Sequence, residues 1–317
     1  MDIFKRTLPA LLLSAAAFFS LDPRAAAQNS VAAYAVIEAN TGHVLDASDS
    51  NRKLQIGSLT KIATAMVVLD WAASTKTDFG QLATVPASAA LLTGQNPVGL
   101  VPGDRASLRD LLYAALLQSD NIAALTLADH VGRALPHEQS VTPEYAFVAQ
   151  MNALARHLKM QRTLFLNPHG LDSIESKLPY STAGDLARLA SYAMSRPGFR
   201  FYVSQKERQI AIQHVDGTQS QYLLQNTNEL LGVNAIDGVK TGRTQRAGEC
   251  LIISAMRPPE SVKNGESYTV TPRRLVVVVL GATNRFQLAA GLLERGWQLY
   301  DKWSAAGRPV KKDEALQ

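Results

Sequence analysis

The sequence predicts an α+β fold in which an antiparallel sheet is built from both ends of the chain and a helical lobe is inserted between them. Three features point to it. Two short apolar stretches broken by Asn40-Thr41-Gly42 lie near the start, several segments with helical apolar spacing fill the middle, and β-branched runs follow Gly238. The chain has 317 residues, 46% hydrophobic and 19% charged, enough to bury a sizeable core and too apolar for a disordered protein. Its net charge of +5 is spread along the sequence instead of being gathered in a basic arm, so no nucleic-acid partner is expected.

Residues 1–27 read as a signal peptide. Lys5 and Arg6 precede an apolar run from Leu8 to Phe19, and Ala25-Ala26-Ala27 forms a cleavage site before Gln28. The run is too short to span a bilayer, so export to a periplasmic or extracellular location as a soluble protein is expected. One catalytic domain is expected over 28–304, followed by a basic tail over 305–317 that frays after Gly307.

Within the domain, Ala32–Asp46 carries a hairpin signal. Helical spacing follows Ser58 and recurs from Leu108 to Leu127, from Pro143 to Leu158, and from Ala183 to Met194 with Thr182 or Ser181 as cap. Cys250–Ala255 and Leu275–Leu280 read as adjacent antiparallel strands separated by a polar, proline-bearing loop from Arg257 to Pro272. An amphipathic helix from Phe286 to Trp303 closes the chain. Cys250 is the only cysteine, so no internal disulfide is possible, and its strand context makes it a small buried hydrophobe.

Three short motifs carry chemistry. Ser58-Leu59-Thr60-Lys61 places a hydroxyl and an amine three apart on one helical face, at a helix N-terminus where backbone N–H groups favour developing negative charge. Ser50-Asn51-Arg52-Lys53 has the same spacing but no apolar face to hold the pair, and reads as a solvated loop. Lysine is a poor base while protonated, so burial or a second cation must lower its pKa. Lys240-Thr241-Gly242, followed by Arg243-Thr244, offers such a cation and groups that can hold a carboxylate, although an isolated K-T-G reads more plainly as an ordinary exposed turn. Ser119-Asp120-Asn121 groups polar residues inside an apolar helical stretch, where they are poor interior choices; a helix break capped by Asn121 is the plainer reading. The six histidines, His43, His130, His137, His157, His169 and His214, lack H-E-x-x-H spacing, and neither a metal nor a cofactor is expected.

The three motifs in this order resemble those of the D-alanyl-D-alanine carboxypeptidases, the low-molecular-mass penicillin-binding proteins of serine peptidase type S11. Phe165–Asp172, Ser181-Thr182, Thr227–Leu231 and Gly238–Thr244 extend the likeness over most of the chain from Tyr34 to Trp303. The resemblance implies the β-lactamase/penicillin-binding-protein-like transpeptidase fold and an acyl-enzyme route on peptidoglycan stem peptides. Ser58 would attack the penultimate D-alanine carbonyl and Lys61 would take its proton. Ser119 and Asn121 would relay protons and bind the peptide, while Lys240, Thr241, Gly242, Arg243 and Thr244 would form the substrate strand. By the same analogy, the backbone N–H groups of Ser58 and Arg243 would form the oxyanion hole.

The E-x-x-L-N pattern of class A β-lactamases is missing, so β-lactams are expected to act as covalent inhibitors that leave Ser58 slowly. The sequence stops at Gln317, shortly after the last helix, which fits the shorter branch of the family without a stable membrane anchor. Asp120 stands where many of these carboxypeptidases carry glycine and is given no catalytic step. A D-alanyl-D-alanine endopeptidase and a β-lactam or cell-wall sensor without turnover remain as alternatives. Arg273 and Arg274 are the candidates for an arginine that binds the terminal carboxylate.

Overall fold

The computed structural model describes residues 30–172, 177–265 and 267–310; the expected signal peptide and residues 311–317 of the expected tail lie outside them. Along the chain come β1 (Ala33–Glu38), β2 (Val44–Ser48), α1 (Lys61–Thr75), β3 (Leu82–Thr84), β4 (Arg105–Ser107), α2 (Leu108–Leu117), α3 (Asn121–Ala134), α4 (Pro143–His157) and α5 (Ala183–Ser195). Then follow α6 (Pro197–Val203), β5 (Glu207–Gln213), β6 (Gln219–Gln225), β7 (Ile236–Thr244), β8 (Gly248–Asn264), β9 (Ser267–Ala282) and α7 (Arg285–Ala305).

The main sheet has the order β2-β1-β9-β8-β7, so both ends of the chain contribute strands. β1 pairs antiparallel with β9 from Ala33 opposite Leu280 to Glu38 opposite Leu275. The run Leu275–Leu280 is buried on both faces: Val276, Val278 and Leu280 face the helical lobe, while Leu275, Val277 and Val279 face α7. Each such side chain contributes about 1.5–3 kcal/mol on burial. A one-residue slip would exchange the two packed faces, so the register is fixed from both sides. α7 lays Ala289, Leu293, Trp297, Tyr300 and Trp303 on its face of the sheet. It comes so close at Gly296 that an added Cβ would lie 2.6 Å from a methyl of Val36.

The structure corrects several expectations. The loop expected over Arg257–Pro272 is strand: β8 and β9 continue as a paired hairpin to Asn264 opposite Ser267. Its prolines do not break the ladder because Pro258 and Pro259 sit where the register shifts between Arg257 and Glu260. The helical stretch Leu108–Leu127 divides into α2 and α3, with Ser119 at φ 65° between them. The cap of α3 is Asp120, whose side chain accepts from the Ala123 N–H, not Asn121. A second sheet, β3-β4-β5-β6, was not anticipated. Its first two strands have three residues each, and the hairpin β5–β6 buries only Ile210, Ile212 and Leu224, too few apolar positions for a clear alternation. The tail is held as far as Pro309, against the expected fraying after Gly307: Arg308 pairs with Glu260, and Trp303 Nε1 donates to the Pro309 carbonyl.

Of the two expected caps of α5, Thr182 does the work, its hydroxyl accepting from the Asp185 N–H at 3.0 Å. Ser181 instead pairs through its backbone with Leu54. Thr182→Ala is therefore expected to cost about 1 kcal/mol in urea denaturation. Full stability in that variant would contradict the cap assignment.

Candidate active site

The nucleophile candidate is set by the chain just before α1. Gly57–Thr60 forms a 3-10 turn that runs directly into the helix, with Gly57 at φ +52°. Ser58 thus precedes the helix proper, and Lys61 is its first residue. One turn apart, the two side chains meet: Lys61 Nζ lies 3.0 Å from Ser58 Oγ. The amine also donates to Asn121 Oδ1 at 2.7 Å and to the His169 carbonyl at 2.8 Å, so all three ammonium donors have acceptors.

Lys61 is wholly buried, and burial lowers its pKa to about 7, with Asp120 opposing the shift. The second cation expected to lower it is not the cause. The coupling is felt by Lys240, itself buried, whose pKa is pushed well down by desolvation and then by Lys61 and Arg285. An amine half-deprotonated near neutrality, in contact with a hydroxyl, can act as a general base.

The second motif lies in the break between α2 and α3. Asn121 is held by its backbone, which donates to the Gln95 carbonyl, and so presents its amide oxygen to Lys61. Ser119 is buried, and its hydroxyl has no hydrogen-bond partner among the described residues. The third motif is on β7, the edge of the main sheet. Lys240 Nζ donates to the Thr241 carbonyl at 3.0 Å, and the Thr241 and Thr227 hydroxyls are 2.7 Å apart. Gly242 lies against the nucleophile turn: a Cβ there would stand 2.9 Å from the Ile56 carbonyl. On the other side of that contact, a Cβ on Gly57 would lie 3.3 Å from the Arg243 nitrogen. The close approach of β7 to the turn therefore needs glycine on both sides.

These elements border an open cleft of about 790 Å³ lined by Ser58, Asn121, Asn167, His169, Arg243 and Thr244, among others. Lys61, Ser119, Lys240 and Thr241 are buried behind its surface. The segment Asn167–Asp172 closes one side through its own bonds: Asn167 Oδ1 accepts from the Gly170 N–H, and Thr64 Oγ1 donates to the Pro168 carbonyl. Burial and the Lys61 charge hold the His169 ring neutral, with its pKa pushed down to about 3. Nδ1 accepts the Leu171 N–H, which makes the ring a structural acceptor.

Neither expected arginine reaches the cleft. Arg273 is taken up by Glu260 and the Pro258 carbonyl, and Arg274 forms a two-pronged pair with Asp237. The arginine beside the third motif is Arg285, at the start of α7, whose Nη1 donates to the Gly242 carbonyl at 3.0 Å. Its place so far along the chain gives no local signal. Cys250 is buried in β8 with its thiol pushed up to about 11 by burial, and takes no part in the cleft. Ser50–Lys53 forms a turn in which Lys53 lies over the Tyr180 ring.

The family model described as Peptidase S11, D-alanyl-D-alanine carboxypeptidase, matches residues 22–265. The chain is 30% identical to the D-alanyl-D-alanine carboxypeptidase DacC of Escherichia coli, over 89% of this chain and 64% of the relative. It is 32% identical to DacD of Salmonella typhimurium, over 92% of this chain and 67% of the relative. It thus spans about two thirds of the length of both. A D-alanyl-D-alanine endopeptidase of Pseudomonas aeruginosa is 33% identical over 69% of this chain and 64% of the relative. Among solved structures, a DD-transpeptidase of Streptomyces matches with a TM-score of 0.70 and 28% identity, over 85% of this chain and 98% of that one. The penicillin-binding protein D2 of Listeria monocytogenes in its ampicillin-bound form matches with a TM-score of 0.65 and 27% identity, over 84% and 97%.

Proposed function

Because the chain belongs to the D-alanyl-D-alanine carboxypeptidase family, Peptidase S11, we propose that it is an exported serine peptidase that removes the terminal D-alanine of peptidoglycan stem peptides. The observation that carries this reading is the contact of a buried, low-pKa Lys61 amine with the Ser58 hydroxyl at the floor of an open cleft.

In the proposed reaction the neutral Lys61 amine accepts the Ser58 proton as Oγ bonds to the penultimate D-alanine carbonyl carbon. The oxyanion is held by the backbone N–H groups of Ser58 and Arg243. Collapse breaks the peptide C–N bond, and the Lys61 ammonium returns the proton to the leaving D-alanine amine. Water then attacks the ester with Lys61 again as base, which frees Ser58. Asn121 orients the amine and offers its amide to the peptide. Lys240, Thr241, Thr244 and the backbone of Gly242–Arg243 bind the substrate along the β7 edge. Arg285, adjacent to Gly242, replaces Arg273 and Arg274 as the arginine proposed to favour the terminal carboxylate. Ser119 is assigned to proton relay because its buried hydroxyl is left without a partner.

We assign the catalytic unit to 28–304, the signal peptide to 1–27, and a soluble, exported location. Among the described residues no helix is long and apolar enough to cross a membrane. β-Lactams are proposed to acylate Ser58 and to leave slowly.

The test is mass spectrometry of wild type and Ser58→Ala after incubation with a D-alanyl-D-alanine pentapeptide, a cross-linked muropeptide dimer, or penicillin. Release of one alanine by wild type alone is expected, with a penicillin adduct on Ser58. Cleavage of the dimer alone would move the assignment to an endopeptidase. An adduct without turnover of either peptide would favour the sensor.

A further inference from the structure

We propose that Asp120 is a positioning residue for the Ser58–Lys61 pair, bracing the cleft wall against α3 and acting on Lys61 through its charge; this rests on the reading of Ser58 and Lys61 given above.

Asp120 is 0% exposed, an unusual place for a carboxylate. Its two oxygens do different work. Oδ1 accepts the Ala123 N–H at 2.8 Å and caps α3. Oδ2 accepts the Val98 N–H at 3.2 Å, across to the segment that carries Gln95 on the cleft wall. The next residue repeats the tie, since the Asn121 N–H donates to the Gln95 carbonyl at 3.0 Å. Asn121 in turn holds Lys61 Nζ, so the wall, the second motif and the amine form one connected set.

A cap needs only one acceptor, and serine or asparagine would supply it. A buried carboxylate adds a charge. Of the titratable groups facing Lys61, the His169 ring is neutral, Lys240 on β7 is basic, with Arg285 beyond it, and Asp120 is the acid. Burial raises the Asp120 pKa, and the Ala123 and Val98 N–H bonds and then Lys61 oppose that rise. The Asp120 charge opposes the fall in pKa by which desolvation leaves the Lys61 amine partly unprotonated near neutral pH. Asp120 therefore limits how far the Lys61 pKa falls.

The experiment follows the acylation rate of the full chain by fluorescent penicillin from pH 5 to 9 in wild type, Asp120→Asn and Asp120→Gly. Asparagine keeps an acceptor for Ala123 and removes the charge. The acid limb is expected to move down by about one pH unit in both variants, with Asp120→Gly also losing thermal stability. A purely structural role would lower amplitude or stability and leave the limb in place, and that result in folded protein overturns the proposal. If Asp120→Asn does not fold, Asp120→Gly is read in the same way. The Lys61 ε-carbon is titrated in parallel by NMR, a readout that needs no reaction. Absence of label on Ser58 in wild type would sink the functional reading, while equal Lys61 midpoints in wild type and a folded variant would sink this one.

Discussion

Replacement of Lys61 by methionine is expected to slow acylation of Ser58 by penicillin by about 10²- to 10⁴-fold, the usual contribution of a general base. Methionine keeps much of the length and apolar bulk of the lysine stem and removes the amine in contact with Oγ at 3.0 Å. In wild type the reaction needs the neutral amine, so its rate should climb with pH through about 7, the value to which burial lowers Lys61. The variant should lose that limb along with the rate. Stability gives an independent reading with a defined sign. Between about pH 7 and the ordinary lysine value of 10.5, the unfolded chain holds a proton on Lys61 that the folded chain has lost. The cost of burying this residue is therefore fully present below pH 7 and is relieved as pH rises toward 10.5. The slope from this group approaches about 1.4 kcal/mol per pH unit. Lys240 is shifted in the same direction, so wild type should gain stability with pH from both residues, and Lys61→Met should show a shallower gain. The variant also leaves the buried His169 carbonyl and Asn121 Oδ1 without their donor, at about 1–3 kcal/mol each. The absolute stability therefore says little, and the difference in slope is the measurement. Parallel urea midpoints from pH 7 to 10 in the two proteins would mean that Lys61 titrates normally.

The part of the site written in side chains was legible in the sequence. Ser58 and Lys61 stand three apart at a helix start, which brings their side chains into contact, and Lys240-Thr241-Gly242 lies on a strand edge, whereas the roles proposed for them rest on the family resemblance. What was missed is mostly backbone or remote. The third acceptor for Lys61 is the His169 carbonyl, and no side-chain pattern encodes which carbonyl will face a distant amine. Arg285 reaches the Gly242 carbonyl only because α7 begins beside β7, a consequence of the sheet order and not of any local run. The same distinction applies to the fold. Leu275–Leu280 was readable because every position is apolar, whereas the outer half of β8 and β9 exposes Val262, Tyr268 and Val270 among polar residues and carries prolines at its bulge. Those prolines read as a loop because sequence alone does not reveal which N–H groups a bulge leaves unpaired. Asp120 was legible as turn-forming, but that its carboxylate would be buried beside a lysine depended on the packing of α1 against α3.

Gly170→Ala should bring a loss in the range of losing a catalytic side chain, although the glycine does no chemistry. Its φ of +83° already disfavours any residue with a Cβ. More decisive is the space: an added Cβ would lie 2.0 Å from the Gly57 carbonyl oxygen, 2.6 Å from its carbon and 2.8 Å from Thr60 Oγ1. Two of these are backbone atoms of the turn that carries Ser58, so no side-chain rotation can relieve the contact. Either that turn moves, which shifts Oγ, or the Asn167–Leu171 segment moves, which withdraws the His169 carbonyl from Lys61. Strain and overpacking together are expected to cost about 3 kcal/mol or more, with penicillin acylation reduced at least about 100-fold in the protein that folds. Gly217→Ala separates the two causes. Gly217 has nearly the same φ, +85°, in the β5–β6 turn, but nothing lies within 4 Å of its Cβ position. It should lose only the backbone term, about 1–2 kcal/mol, and keep full acylation. Equal thermal shifts in the two variants would mean that left-handed backbone strain governs both. A large loss of labelling confined to Gly170→Ala would locate the effect in the contact between the cleft wall and the nucleophile turn.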